Sequence, residues 1–294
     1  MNEPNPLGRF LRARRNALDP RAVGLARARE TRRVPGLRRE EVAALAGVSV
    51  DYYTRIEQGR LAVSPRMLQT LGKVLRLDAA QRAYLALLAR GGDDDRRCAA
   101  RTVRPQVRRL LERLADTPAL VLGRGFDVLA WNRMAKTLLT ALAPAVIGDR
   151  NVARLLFTVP SLRTTLGDWE RIASGAVAVL RMELARHPGD HHLAALVAEL
   201  SRRPEFRAGW EGQAVALTTG GSATVEHPLV GTIALEWEPL SLPDDPGQQL
   251  VVVNTKAGSA SERALRVLCA RDERGSDHSP WPMEHSPLPG AHGR

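Results

Sequence analysis

Residues 37–60, LRREEVAALAGVSVDYYTRIEQGR, decide how this chain is read. Val42, Leu45 and Ala46 recur at helical spacing until Gly47 breaks the run. Ser49 then stands where a second helix needs its cap, with Tyr53 and Ile56 on the inward side. Two short helices joined across Gly47-Val48 follow the helix-turn-helix plan, in which the second helix enters the major groove of duplex DNA. The outward side chains of that helix are Val50, Asp51, Tyr52, Arg55 and Gln58. Only Val50 among them is aliphatic, so the face is suited to a polar surface. An αα-hairpin that merely packs fits the same spacing, and charge separates the two readings. Residues 1–92 hold 18 Lys and Arg against 8 Asp and Glu, net +10 of the chain's +11. An excess confined to the third of the chain that carries the hairpin is the electrostatic footprint of phosphate binding.

Working outward, LGRFLRARRNAL (7–18) reads as an amphipathic helix with Leu7, Phe10, Leu11 and Leu18 apolar and four arginines around them. Those arginines suit either phosphate contacts or a solvated face. A Gly- and Arg-rich loop spans 19–36. Gly36 is expected to cap a helix beginning at Leu37, with Arg38 and Arg39 in its first turn, where donors reach the DNA backbone. Beyond the hairpin, Ser64-Pro65 is a cap followed by proline at the first helical position. Met67, Leu68, Leu71, Val74 and Leu75 mark the inner face of that fourth helix. Asp78-x-x-Gln81 is a capping box for a fifth, with Tyr84, Leu85 and Leu88 inward and an end near Arg90. GGDDDRRC (91–98) is a shift in composition. The expected division is a DNA-binding domain over 1–92, a linker over 93–100, a second domain over 101–270 and a tail over 271–294.

With these residues in view, 7–90 resemble the lambda-repressor-like (XRE-type) five-helix DNA-binding domain. PGLRREEVAALAGVSVDYYTRIEQGR, with the Arg-rich loop before it, is similar to the MmyB-like group of bacterial regulators. The resemblance implies that Arg39 stands at the start of the groove-crossing helix, beside Arg38 in the candidate DNA-binding set. It places Val50, Asp51, Tyr52 and Arg55 at recognition-helix positions, and the cap Ser49 and outward Gln58 complete the candidate DNA-binding set. Arg55 suits a base-edge contact, since Arg pairs bidentately with guanine. Asp51 either accepts from cytosine or orients Arg55. Heads of this type pair on two half-sites, so a homodimer is expected.

The second half has another texture. A basic helix over 101–116 precedes two short apolar runs, 119–122 and 128–131, separated by the hairpin signal GRGFD. Asn132 caps a helix through Leu142, and 151–157, 168–186 and 192–201 read as helices. Strands are expected at 213–218, 223–226, 232–238 and 249–254. Ser259-x-x-Glu262 caps a last helix with Leu265 and Leu268 inward. This order predicts α+β, one antiparallel sheet with helices on one face. The segments TPALVLGRGFDVLAWNRMAKTLL, NVARLLF, SRRPEFRAGW, HPLVGTIALEWEPLSLPDDPGQQLVVV and AGSASERALRVL resemble the MmyB-like ligand-binding domain. That resemblance implies a PAS-like fold and a small apolar, fatty-acid-like ligand. TTGGSATVEHP carries fewer basic residues before His227-Pro228 than the family usually does. Aromatics are 4% of the chain, yet Trp131, Trp169, Trp210 and Trp237 all fall in this half. With Phe157 they are expected either to wall an apolar pocket between sheet and helices or to serve as ordinary core.

Other chemistry is hard to find. In HPGDHH (187–192), Pro188-Gly189 marks a helix end and Asp190 the next cap, which explains the segment better than a metal site does. Gly123-Arg124-Gly125 lacks the third glycine of a dinucleotide fingerprint, and there is no phosphate-binding Gly-Lys-Ser/Thr loop. Neither Cys98 nor Cys269 has a neighbouring histidine, and His227 before Pro228 suits a turn buttress. No catalytic residue, metal ligand or cofactor is assigned, and an enzyme is not expected. Two distant cysteines suggest neither a disulfide framework nor a metal cluster. The first ten residues lack the apolar stretch of a signal peptide, and no run approaches a membrane span. A cytoplasmic regulator follows, one that binds double-stranded DNA and senses a small apolar ligand. The competing reading makes the second domain a protein-interaction module.

Overall fold

A computed structural model describes residues 5–25, 36–91, 102–217, 220–245 and 247–275. The expected linker over 93–100, Cys98 and most of the expected tail lie outside the described residues. Five helices build the N-terminal domain, here the head: α1 (Pro6–Ala17), α2 (Arg39–Ala46), α3 (Val50–Glu57), α4 (Pro65–Val74) and α5 (Ala79–Arg90). Their starts follow local chemistry. Ser49 Oγ accepts from Tyr52 N at 3.1 Å and Ser64 Oγ from Met67 N at 3.3 Å. Asp78 and Gln81 exchange reciprocal bonds of 2.8 and 3.2 Å. Each cap satisfies amide donors that the first turn leaves without helical partners. Gly47 closes α2 at φ +68°, a left-handed conformation that glycine adopts without a Cβ penalty.

The head core is Phe10, Leu11, Leu37, Val42, Tyr53, Ile56, Leu71 and Leu85, each under 2% exposed, with Phe10 edge-on to Tyr84. Each such side chain contributes roughly 1.5–3 kcal/mol of burial free energy. Leu45, expected inward, is exposed instead, because α2 turns only Val42 and Ala43 fully into the core. Gly36 does not cap α2. The helix starts at Arg39, and Gly36 lies so close to the end of α1 that a Cβ would sit 2.3 Å from the Asn16 carbonyl oxygen.

The second domain, the body, continues with α6 (Pro105–Arg113), β1 (Ala119–Leu122), β2 (Val128–Trp131), α7 (Arg133–Leu142), α8 (Val152–Thr158), α9 (Leu162–Thr165), α10 (Trp169–Arg186), α11 (His191–Leu200) and α12 (Pro204–Glu211). It closes with β3 (Gly221–His227), β4 (Gly231–Ser241), β5 (Gln249–Asn254) and α13 (Ala260–Gly275). The five strands form one antiparallel sheet in the order β2-β1-β5-β4-β3. Along β3 and β4 burial alternates strictly, and Ala223, Val225, Ile233 and Leu235 pack with α7 and α13. The other end of the sheet departs from the expectation of helices on one face. There Leu120 and Val251 face α7, whereas Ala119, Val121 and Leu250 face Val107 and Leu111 of α6. Strands apolar on both sides need cover on both sides.

Residues 213–217, expected to form a strand with Thr218, are not one. Gln213 is buried in a left-handed conformation, φ +54°, and Ala214–Leu217 run as irregular chain, while Thr218 lies outside the described residues. Among the described residues no helix is long and apolar enough to cross a membrane.

Asn132 joins the two halves of the sheet start. Its Oδ1 accepts from Ala119 N and Ala135 N, and its Nδ2 donates to the carbonyls of Leu114 and Thr117, all within 2.6–3.1 Å. Replacing it by alanine removes a helix cap and strands buried backbone groups. Asn132→Ala is therefore expected to cost about 2–3 kcal/mol, read as a lower urea midpoint of tryptophan emission. A loss within about 0.5 kcal/mol, the level of an ordinary surface change, would contradict this.

Candidate functional site: the exposed face of α3 and an aromatic cluster

On α3 the exposed side chains are Val50, Asp51 and Arg55, with Gln58 exposed as its C-cap. Asp51 Oδ2 lies 2.9 Å from Arg55 Nη2, one turn apart, with both side chains more than half exposed. This pair orients the Arg55 fork at the helix surface. Such a pair adds little stability in water, so its consequence is geometric. Tyr52 differs from the outward placement expected: it is half-buried and packs against the head core. Ser49 spends its hydroxyl as the α3 cap. Arg38 is exposed and immediately precedes α2, its amide donating to the Glu41 carboxylate at 2.7 Å.

Arg39 is not a free first-turn cation. Its Nε donates to Glu57 Oε2 at 2.7 Å, while Arg15 Nε donates to Glu57 Oε1 at 2.8 Å. Arg15 also reaches the Leu37 carbonyl. Glu57, wholly shielded at the end of α3, thus ties α1 and α2 to the recognition helix. Burial alone would raise its carboxyl, but the two guanidinium hydrogen bonds outweigh that and hold it below the ordinary carboxylate range. Burial pushes the neighbouring Tyr53 phenol far up. The Arg39 side chain remains 40% exposed, so an outer edge still faces solvent. No spacing rule links residues 15, 39 and 57; a glutamate on an otherwise apolar inward face was the signal available.

The five aromatic residues expected to wall a pocket divide into two groups. Phe157 on α8 meets Trp169 on α10 edge-on at 5.9 Å, and Phe206 at 5.2 Å. Phe206 stacks on Trp210 at 5.5 Å, so these four rings run across α8, α10 and α12. Trp169 Nε1 donates to the Leu156 carbonyl and Arg163 covers its face. Trp131 and Trp237 instead belong to the cluster of α7 and the sheet, with Arg150 over Trp131. Half-buried Leu166 packs against both groups. Phe206 went unnoticed, although its spacing of four from Trp210 on one helix signals the stack.

A separate cleft of about 300 Å³ opens between the β1–β2 turn, the end of α10 and the β4–β5 loop. Its arginines face carboxylates: Arg186 bridges Glu183 at 2.8 Å, and Arg124 lies 3.7 Å from Asp190. Burial, then the Arg124 charge, push the His187 imidazole down. Asp190 is also the cap of α11, its Oδ1 accepting from Leu193 N, and His227 Nδ1 accepts from Leu229 N as a turn buttress.

A basic helix-turn-helix head with an exposed recognition face, joined to an α+β body, defines a DNA-binding transcription regulator with a ligand-binding domain. Residues 6–85 match a helix-turn-helix domain family, and residues 103–268, more than half the chain, match the MmyB-like transcription regulator ligand binding domain. The chain belongs to the MmyB-like transcription regulators. None of the curated proteins compared with it matches.

Proposed function

We propose that α3 reads operator base pairs through Arg55, and that the body senses a small apolar, fatty-acid-like ligand against the rings of Phe157, Trp169, Trp210, Trp131 and Trp237. The protein works as a homodimer on two half-sites, since one recognition helix reads too few base pairs for useful specificity. The observation that carries the DNA reading is the Asp51–Arg55 pair, exposed on α3 within a domain of net charge +10.

Two measurements test it. Binding of the full chain to duplex DNA is expected to weaken steeply with salt, each neutralised phosphate adding about −0.9 to the log–log slope. A slope near zero refutes the interface. Arg55→Ala is expected to relax preference at one base pair by roughly 1–3 kcal/mol. An unchanged motif in binding-site selection would reject that assignment. Arg39→Ala is expected to weaken binding evenly across sequences.

The edge-to-face and stacked contacts among Phe157, Trp169, Phe206 and Trp210 favour a second reading of the body, as a packed module that binds a partner protein. Native mass spectrometry separates the two: a co-purified lipid-sized mass supports sensing, and a clean apo mass supports the partner reading.

A further inference from the structure

Arg181 lies on α10 at the seam between body and head and is only 4% exposed. Its Nη1 donates to Gln213 Oε1 at 3.0 Å and its Nη2 to the Trp210 carbonyl. The guanidinium carbon sits 4.1 Å from the centroid of the Trp210 ring. From the head, Tyr84 on α5 interacts favourably with its charge, while Arg9 and Arg14 of α1 add like charge. No carboxylate among the described residues pairs with it.

A buried guanidinium normally requires an anionic partner, because taking the charge out of water costs several kcal/mol. Here stacking on an indole and neutral oxygens take that place. Gln213 supplies one of them from a left-handed backbone conformation uncommon for a non-glycine residue. Apolar contacts flank Arg181. Met182, the next residue on α10, is fully buried within the head core cluster, with Ala185 and Val215 beside it. Arg14 donates across the seam to the Gly212 carbonyl at 2.8 Å. Trp210 and Gln213 therefore hold Arg181 on the body side, and Tyr84 interacts with its charge on the head side.

We propose that Arg181 is the positioning residue that couples the body's aromatic cluster to the head. A shift of Trp210 changes the stacking and both body-side hydrogen bonds of Arg181 at once, and no carboxylate among the described residues holds the cation in place. Its head-side neighbour Tyr84 is carried on α5, which packs against α10. Two arrangements follow, Arg181 engaged on Trp210 and Gln213 or released from them, and anything that moves Trp210 biases one over the other. That a fatty-acid-like ligand supplies the displacement rests on the function proposed above; the coupling through Arg181 does not.

The test uses the full chain and sodium decanoate, with tryptophan emission reporting on the body and amide hydrogen exchange reporting on α5. In the parent, decanoate is expected to change both, α5 exchange by about fivefold or more. In Arg181→Met the emission still responds and the α5 response disappears. Tyr84→Phe, which removes one hydroxyl and leaves the fold intact, gives the same loss of response. A merely structural arginine alters the resting exchange of α5 but not whether α5 responds. Emission that responds in the parent with α5 unmoved overturns the coupling, as does an α5 response that survives in Arg181→Met and Tyr84→Phe. If decanoate leaves the parent's emission unchanged, the fatty-acid reading fails by itself, and Trp210→Leu then serves as the perturbation. Altered α5 exchange in Trp210→Leu that vanishes in the Arg181→Met background supports the coupling, and equal or absent effects in both backgrounds overturn it.

Discussion

Glu57→Ala is expected to cost the head about 3–5 kcal/mol, the usual loss when one member of a buried ion pair is removed. Arg15 would be left 8% exposed with only the Leu37 carbonyl, and Arg39 would lose its anchor. Against a typical domain stability of about 5–15 kcal/mol, that leaves the head close to unfolding. The chain supplies its own probes, because all three tyrosines lie in the head and every tryptophan lies beyond residue 130. Tyrosine difference absorbance should melt far below tryptophan emission in the variant, and a loss under about 1 kcal/mol would show that Glu57 is not the clamp. Acid gives a second readout. The folded carboxyl is held below its ordinary value of 4.5, so its stabilisation is complete above that pH and is lost as pH falls through the depressed value. The parent head should weaken on acidification below pH 4.5, and this component should be missing in Glu57→Ala.

Phe206→Ala is expected to cost the body about 3–5 kcal/mol, since it deletes a ring that is wholly buried and fills the space between Phe157 and Trp210. The cavity left is apolar, and a dry cavity of that kind accepts an apolar guest. Urea unfolding followed by tryptophan emission measures the loss, and benzene should restore part of it by binding only the folded variant. A small loss with no rescue would mean that α12 collapses onto α8 and that the cluster tolerates repacking.

Local chemistry was the legible part. Ser49, Ser64, Asp78, Asn132, Asp190 and Ser259 each cap the helix their position announced, and β1 and β2 occupy the expected residues. A cap is a bond spanning three residues, and sequence order suffices to see it. The candidate site was legible only as a set of side chains. The exposed face of α3 could be read from its period, apart from Tyr52. The division of the aromatics into two clusters could not, because it depends on how α8, α10 and α12 cross. Nor could the Glu57 clamp, the position of α6 on the far face of the sheet, or the path of residues 213–217. Each involves partners tens of residues away: the Gln213 side chain accepts from Arg181, 32 residues earlier.

Met182 bears on the interchange of parts between regulators. Its side chain completes the hydrophobic interior of a domain to which it does not belong in sequence. A chimaera that grafts another DNA-binding head onto this body must therefore accommodate a methionine, or replace it to match the new socket. A joint cut within 93–100 respects the order of the chain and still severs a shared interior, so heads exchange cleanly only among relatives that carry a matching residue on the long helix.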